Sequence, residues 1–430
     1  MHPFFASYLV NERREIMKDN KNINKMMIYF LWSISILVIG GLWIWSIWNK
    51  VPSNIHVRAG EGQGLEFYVP ATATIYKKDD QRQVNVDLNQ KLTIFGKAED
   101  TYTMDVDLFG FIPFKQSEVS VIQEKKVVPL GIPVGIYVQS DGILVVDTGE
   151  FTTNKGKKES PAKNLLQPGD YIVTINEKEI YSKEVLMDEI ANCKGKSITL
   201  GVRREDSYLN MTLKPVRNEE GEYKLGIWVR DNAQGIGTLT FVDENGCFGA
   251  LGHGINDVDT TNLMEIRDGA LYKADIISIT KGSRGKPGEL TGIIAYAKKY
   301  KMGEIFQNTK KGVYGLLEED TIVKTQEALP IALKQEIKEG KAHILCSFAE
   351  GMQEFEVEIM AIHQENDNIN RGLELKVTDE KLLETTGGIV QGMSGSPIIQ
   401  EGKVIGAVTH VLVNDPTRGY GIFVEAMLEQ

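Results

Sequence analysis

The stretch GGIVQGMSGSPIIQEGKVIGAVTH, Gly387–His410, places Ser394 and Ser396 one residue apart among glycines and ahead of Pro397. Glycine supplies positive φ and proline ends strand pairing, so a tight turn accounts for Gly392, Gly395 and Pro397. A turn does not account for a hydroxyl at its apex. Such a serine becomes a nucleophile only when a base takes its proton, a third group orients the base, and N–H donors meet the developing oxyanion. His253 is the candidate base: within GALGHGIND it stands at the end of the apolar stretch, and Gly252 and Gly254 on either side let backbone approach it. His410 also offers itself, but it lies just after the serine turn, whereas the base has to reach Ser Oγ from across a cleft. Cys193, Cys247 and Cys346 are too few and too widely spaced for a disulfide framework or a zinc site, and neither metal nor cofactor is expected.

These groups need a scaffold. A chain of 430 residues, 42% hydrophobic, allows two to four domains at about 150 residues each. Its net charge of −11 speaks against a nucleic-acid partner, which calls for a basic stripe. The run Met26–Trp48 carries no charge, exceeds the ~20 apolar residues that cross a bilayer, and crowds Trp43, Trp45 and Trp48 at its C-terminal end. Arg13, Arg14, Lys18, Lys21 and Lys25 precede it, so the N-terminus is expected inside and everything after Lys50 outside. The run is longer than a signal-peptide core of about 7–15 residues and no A-x-A site follows, which favours an uncleaved anchor. Residues 1–25 then form a cytoplasmic tail, 26–48 the transmembrane helix, and the polar, glycine-containing 49–64 a linker. Short alternating runs such as ATATIY and KLTIFG predict a small β-rich domain over 65–122.

Over 123–217 come strands, an LLQPGDYIVTIN segment with Gly169 and Asp170, an amphipathic helix and a last strand. This order resembles a PDZ domain, an α+β fold. The resemblance implies capture of a peptide, or of a segment of this chain, as a strand added to an exposed sheet edge. The expected edge is Gly135, Ile136, Tyr137 and Val138, after the loop Leu130–Val134. A plain spacer or clamp is the alternative.

Residues 218–430 are rich in glycine and short strands, and the frame Gly392-Met393-Ser394-Gly395-Ser396-Pro397 resembles the G-x-S-G-x-P turn of trypsin-like peptidases. That likeness implies a β-barrel peptidase domain, Ser394 as nucleophile, and an oxyanion hole from the N–H groups of Gly392 and Ser394. Ser396 stands where glycine is usual and reads as a tolerated substitution. The hairpin after the turn would line the substrate with Thr409, His410 and Val411, and Gly419 and Gly421 would border the pocket. The order His, Asp, Ser favours His253 over His410. The whole chain is therefore expected to be mainly β behind an N-terminal helix.

Together, the anchor, the PDZ-like region, GIGTLTF, GALGHGINDVDT, KGSRGKPGE, VTDEKLLETTGGIVQGMSGSPIIQEGKVIGAVTHV and NDPTRGYG resemble the stage IV sporulation protein B serine peptidases of endospore-forming bacteria. The resemblance implies a forespore-membrane protease facing the intermembrane space, which cuts itself free and then cleaves a regulatory membrane protein, leading to sigma-factor activation. It places the catalytic residues at His253, Asp379 and Ser394. In the ordinary trypsin-like layout the acid belongs to the first barrel, where Asp257, Asp259, Asp268 and Asp275 lie. Two other classes stay open: a non-catalytic PDZ scaffold on a degenerate protease fold, and a structural protein of the spore envelope.

Overall fold

The computed structural model describes residues 27, 30–78, 82–318, 326–348, 351–364 and 368–429. The cytoplasmic tail expected over 1–25 lies outside them. The chain is mainly β and divides into two units, Met1–Gln123 and Glu124–Gln430.

In the first unit the apolar run forms the helix Phe30–Lys50, 21 residues and therefore about 31 Å long, enough for a hydrocarbon core of about 30 Å. Its side chains are exposed along most of its length, but Ile47 is buried. Trp43 stacks on Phe109 at 6.0 Å and Trp48 meets Phe114 edge-on at 5.3 Å. Lys115 Nζ donates to the carbonyls of Val51 at 2.5 Å and Trp48 at 3.2 Å, a cation where a helix C-terminus exposes unpaired oxygens. The expected linker 49–64 is thus corrected. Val51 and Val57 are fully buried, and Asn54–Arg58 pairs in parallel with Ile112–Ile122, Ile55 opposite Val119. The alternation of apolar Ile55 and Val57 with polar neighbours makes it a strand, which the surrounding glycines obscured. It edges a five-stranded sheet continued by Asp100–Leu108, Ala71–Tyr76 and Gln83–Asp87.

The second unit is organised by one long strand, Lys126–Thr148. Its first half pairs with Ile227–Val242 on one side and Ile266–Thr280 on the other. Cys247–Ala250, Gly312–Leu317 and Lys301–Thr309 complete a ring of six strands around Leu130, Val134, Leu239, Phe248, Leu271 and Val313. The PDZ-like region therefore does not precede the peptidase domain as a separate block; it is inserted between two adjacent strands of this barrel, and the expected boundary at 217/218 is corrected accordingly. Within the insertion, Tyr171–Ile175, Ile198–Arg204 and Ser207–Leu213 form antiparallel pairs. The helix Lys183–Asn192 starts at Ser182, whose Oγ accepts the Val185 N–H, and buries Leu186 and Ile190 against them.

A second barrel closes through Gly340–Phe348, Gly351–Ile362, Leu373–Val377, Asp415–Phe423, Lys403–Leu412 and Pro397–Gln400. Val357, Leu375, Ile398, Ala407 and Ile422 fill it, each at 1% exposure or less. Cys193, Cys247 and Cys346 are unpaired.

Candidate active site

His253 leaves the first barrel just past Cys247–Ala250, through Leu251 at φ +69° and Gly252 at φ +68°. Two successive left-handed residues turn the chain sharply, and for leucine that conformation carries strain of order 1–3 kcal/mol. The His253 Nδ1–H donates to the Gly254 carbonyl at 2.9 Å, which leaves the Nε2 lone pair as the acceptor. Burial pushes the imidazole below its ordinary pKa, the Gly254 bond opposes that, and His410 adds to it. Asn308 pins the following segment: Oδ1 accepts the Ile255 N–H at 2.8 Å, while Nδ2 donates to the carbonyls of Ile255 and Met264.

The serine loop is built from the second barrel. The helix Glu380–Thr386 ends in Gly387 at φ +74°, and Ile389, Val390 and Met393 are buried on the way to the turn. Gly395 has φ +97°, and a Cβ there would stand 2.3 Å from the Thr238 carbonyl of the other barrel, so no other residue fits. Among the described residues the amides of Gly392 and Ser394 donate to no backbone carbonyl. They border a cleft of about 320 Å³ whose lining includes His253, Ser394, Gly392, Ile136, Gln234 and Leu251. The structure thus brings the candidate base, nucleophile and oxyanion residues to one cavity. Ser394 Oγ donates to the Thr409 carbonyl at 2.6 Å.

The other expected site residues fall differently. Asp379 is the N-cap of Glu380–Thr386: its carboxylate accepts the N–H of Leu382 at 2.9 Å and of Glu356 at 3.4 Å, and it is not among the residues lining the cleft. Of the first-barrel acids, Asp257 is buried against Arg230 and the N–H groups of Asp259 and Thr260, Asp259 pairs with Arg230, Asp268 with Arg267, and Asp275 is exposed. Ser396 is fully buried, with Oγ 3.3 Å from Cys346 Sγ. Thr409 is buried beside Ser394, whereas His410 is exposed with its ring against that of His253. The register of Lys403–Leu412 slips between Val408 and Val411, and the partner strand Pro397–Gln400 stops at Ala407, which leaves Thr409–Val411 unpaired on that side among the described residues.

Strand addition at Gly135, Ile136 and Tyr137 is corrected, because these residues are paired on both sides, opposite Ile236–Gln234 and Tyr272–Ala270. Ile136 instead lines the cleft. Among the described residues, Ile227–Asp231 is paired on one side only, as is Ser207–Leu213 at the far edge of the inserted module. Ile227, Val229 and Val185 of the helix pack against the same buried core, and the Asp231 carboxylate accepts the Lys183 N–H at 2.8 Å at that helix's start. Sequence reading missed this edge because a strand's neighbours depend on where a long strand bends.

The family model for the SpoIVB peptidase S55 matches residues 221–428. Among solved structures, the PDZ domain of the SdrC-like protein from Listeria monocytogenes is 22% identical over 21% of this chain and 87% of that one, at a TM-score of 0.18. No curated protein sequence matches the chain.

Proposed function

We propose, from the match of residues 221–428 to the family model for the SpoIVB peptidase S55, that the chain is a serine peptidase of that family and that Ser394 and His253 hydrolyse a peptide bond of a protein substrate during sporulation. The observation that carries this is their shared cleft, with Gly392 beside them. In the proposed reaction Ser394 Oγ leaves the Thr409 carbonyl, passes its proton to His253 Nε2 and bonds to the scissile carbonyl carbon. The amides of Gly392 and Ser394 hold the resulting oxyanion. The C–N bond then breaks as the leaving amine takes the proton from His253. Water, deprotonated by the same imidazole, cleaves the acyl-enzyme and restores the Ser394 hydroxyl.

The Gly254 carbonyl, rather than a carboxylate, supports the His253 tautomer in this geometry. Asp379 contributes through the helix it caps, upstream of the serine loop. Substrate pairs with Thr409, His410 and Val411 on one wall, and an extended peptide or a segment of this chain adds to Ile227–Asp231. The apolar helix anchors the enzyme in the forespore membrane with its catalytic unit outside, and self-cleavage followed by cleavage of a regulatory membrane protein leads to sigma-factor activation. The family match and the exposed helix support this reading.

The test is mass spectrometry of membranes carrying wild-type chain or Ser394→Ala, together with a fluorophosphonate label. The expected result is labelling of Ser394 and wild-type-dependent fragments; no label and identical fragments would refute peptidase action.

A further inference from the structure

Two polar side chains cross between the barrels in opposite directions. Thr238, on the first barrel and 4% exposed, donates its Oγ1–H to the Gly392 carbonyl at 2.7 Å, and its amide donates to the Ser394 carbonyl at 3.2 Å. Asn370, from the second barrel, donates Nδ2 to the Gly252 carbonyl at 2.7 Å and to Lys310 at 2.9 Å. Each barrel therefore grips the other's catalytic loop, one residue from His253 and across the carbonyls that flank Met393. A further bond joins the two grips: Thr409 Oγ1 donates to the Asn370 carbonyl at 2.6 Å, while the Thr409 carbonyl receives Ser394 Oγ.

We infer that Thr238 and Asn370 are reciprocal positioning residues that set the register of His253 against Ser394. Neither side chain is placed on the reacting atoms. The physical need is clear from the layout, because base and nucleophile sit on separate barrels, and any slide along their interface shifts one against the other. The Gly252 carbonyl lies at the end of the left-handed pair Leu251–Gly252. Without Asn370 that turn has one fewer bond to oppose its strain, and His253 moves with it. Without the Thr238 hydroxyl the Gly392 carbonyl is released, and the Gly392–Met393 peptide, which lies between the two oxyanion donors, can rotate and turn them.

The inference rests on the peptidase reading, and the experiment separates the two. The full chain in detergent micelles is assayed for p-nitrophenyl acetate hydrolysis and for the rate of fluorophosphonate labelling, with circular dichroism as the folding check. Wild type is expected to be active and labelled; if it is not, the peptidase reading fails. Thr238→Val and Asn370→Asp, which keep shape and remove donors, are expected to lower kcat by about 10²-fold, the cost of a 1 Å misplacement, with KM little changed. Thr238→Ser should restore the rate. The double variant should be no slower than the slower single one, because both grips serve one register. An active wild type whose folded single variants keep kcat within about twofold, or whose losses lie in KM, overturns the inference, as does a double variant whose losses multiply. Should Thr238→Val fail to fold, Asn370→Asp and Asn370→Ala carry the same comparison.

Discussion

The imidazole rings of His253 and His410 stand edge to face, with centroids 5.1 Å apart, one part-buried and the other exposed. Burial holds the His253 pKa below 6.5, with His410 adding a smaller push in the same direction. The neutral form, which is the base, then persists to lower pH. The acid limb of kcat/KM is expected below the ordinary histidine value, and His410→Gln should move it upward. The same shift links to stability: a folded pKa below the unfolded one contributes stability above pH about 6.5, lost as pH falls through the folded value. A pH–rate profile of both proteins checks the direction; a limb that moves down in His410→Gln counts against it.

Asp379 is predicted to act as a helix cap. Asparagine caps as well as aspartate, so Asp379→Asn should leave turnover within a few-fold of wild type, whereas Asp379→Ala should cost about 1 kcal/mol of stability. A triad acid replaced by asparagine would lose about 10⁴ in kcat, the figure for the trypsin case. Steady-state kinetics beside thermal melts therefore distinguish the two roles.

Ser394→Ala should abolish labelling and hydrolysis in a chain that still folds. Ser396→Ala should keep activity and shift stability by no more than about 1 kcal/mol, because it loses only a neutral hydrogen bond to Cys346. If the Ser396 variant were the inactive one, the nucleophile would have to be reassigned.

The segment 51–64 is predicted to resist an added protease in the native chain, since its strand is paired and Val51 and Val57 are buried. Lys115→Ala removes a buried cation that bonds two carbonyls and lies 4.9 Å over the Trp48 ring. Bonds to a charged donor contribute about 1.5–3 kcal/mol each, so this variant should be cut there and should shift tryptophan emission. Equal cutting of both proteins would refute the packed arrangement.

What the sequence disclosed follows from what glycine, serine and hydrophobic length can encode locally. Ser394 and His253 stood out because glycines bracket them, and the helix Phe30–Lys50 because no charge interrupts it. The fold class was legible for the same reason, through short alternating runs. Thr238, Asn308 and Asn370 were not legible: they are ordinary polar residues until two barrels bring them against distant carbonyls. Asp379 illustrates the converse, since an aspartate ahead of KLLETT signals a helix N-terminus as readily as an acid. The edge at Gly135–Tyr137 misled because alternation says which residues form a strand, not how many partners it takes.

The inserted module also bears on how the chain assembles. The strand that enters it, Lys126–Thr148, and the strand that leaves it, Ile227–Val242, are neighbours in the barrel that carries His253. A ribosome therefore delivers the first stave of that barrel, then the entire module, and only afterwards the stave that must lie beside it. Closing a long floppy loop is entropically unfavourable, but a folded module whose two ends already meet has absorbed that loss. A folded module is therefore expected to act as a splint that holds the two strands of the His253 barrel side by side, so that a lesion unfolding the module is expected to hinder closure of that barrel although it lies far from the cleft.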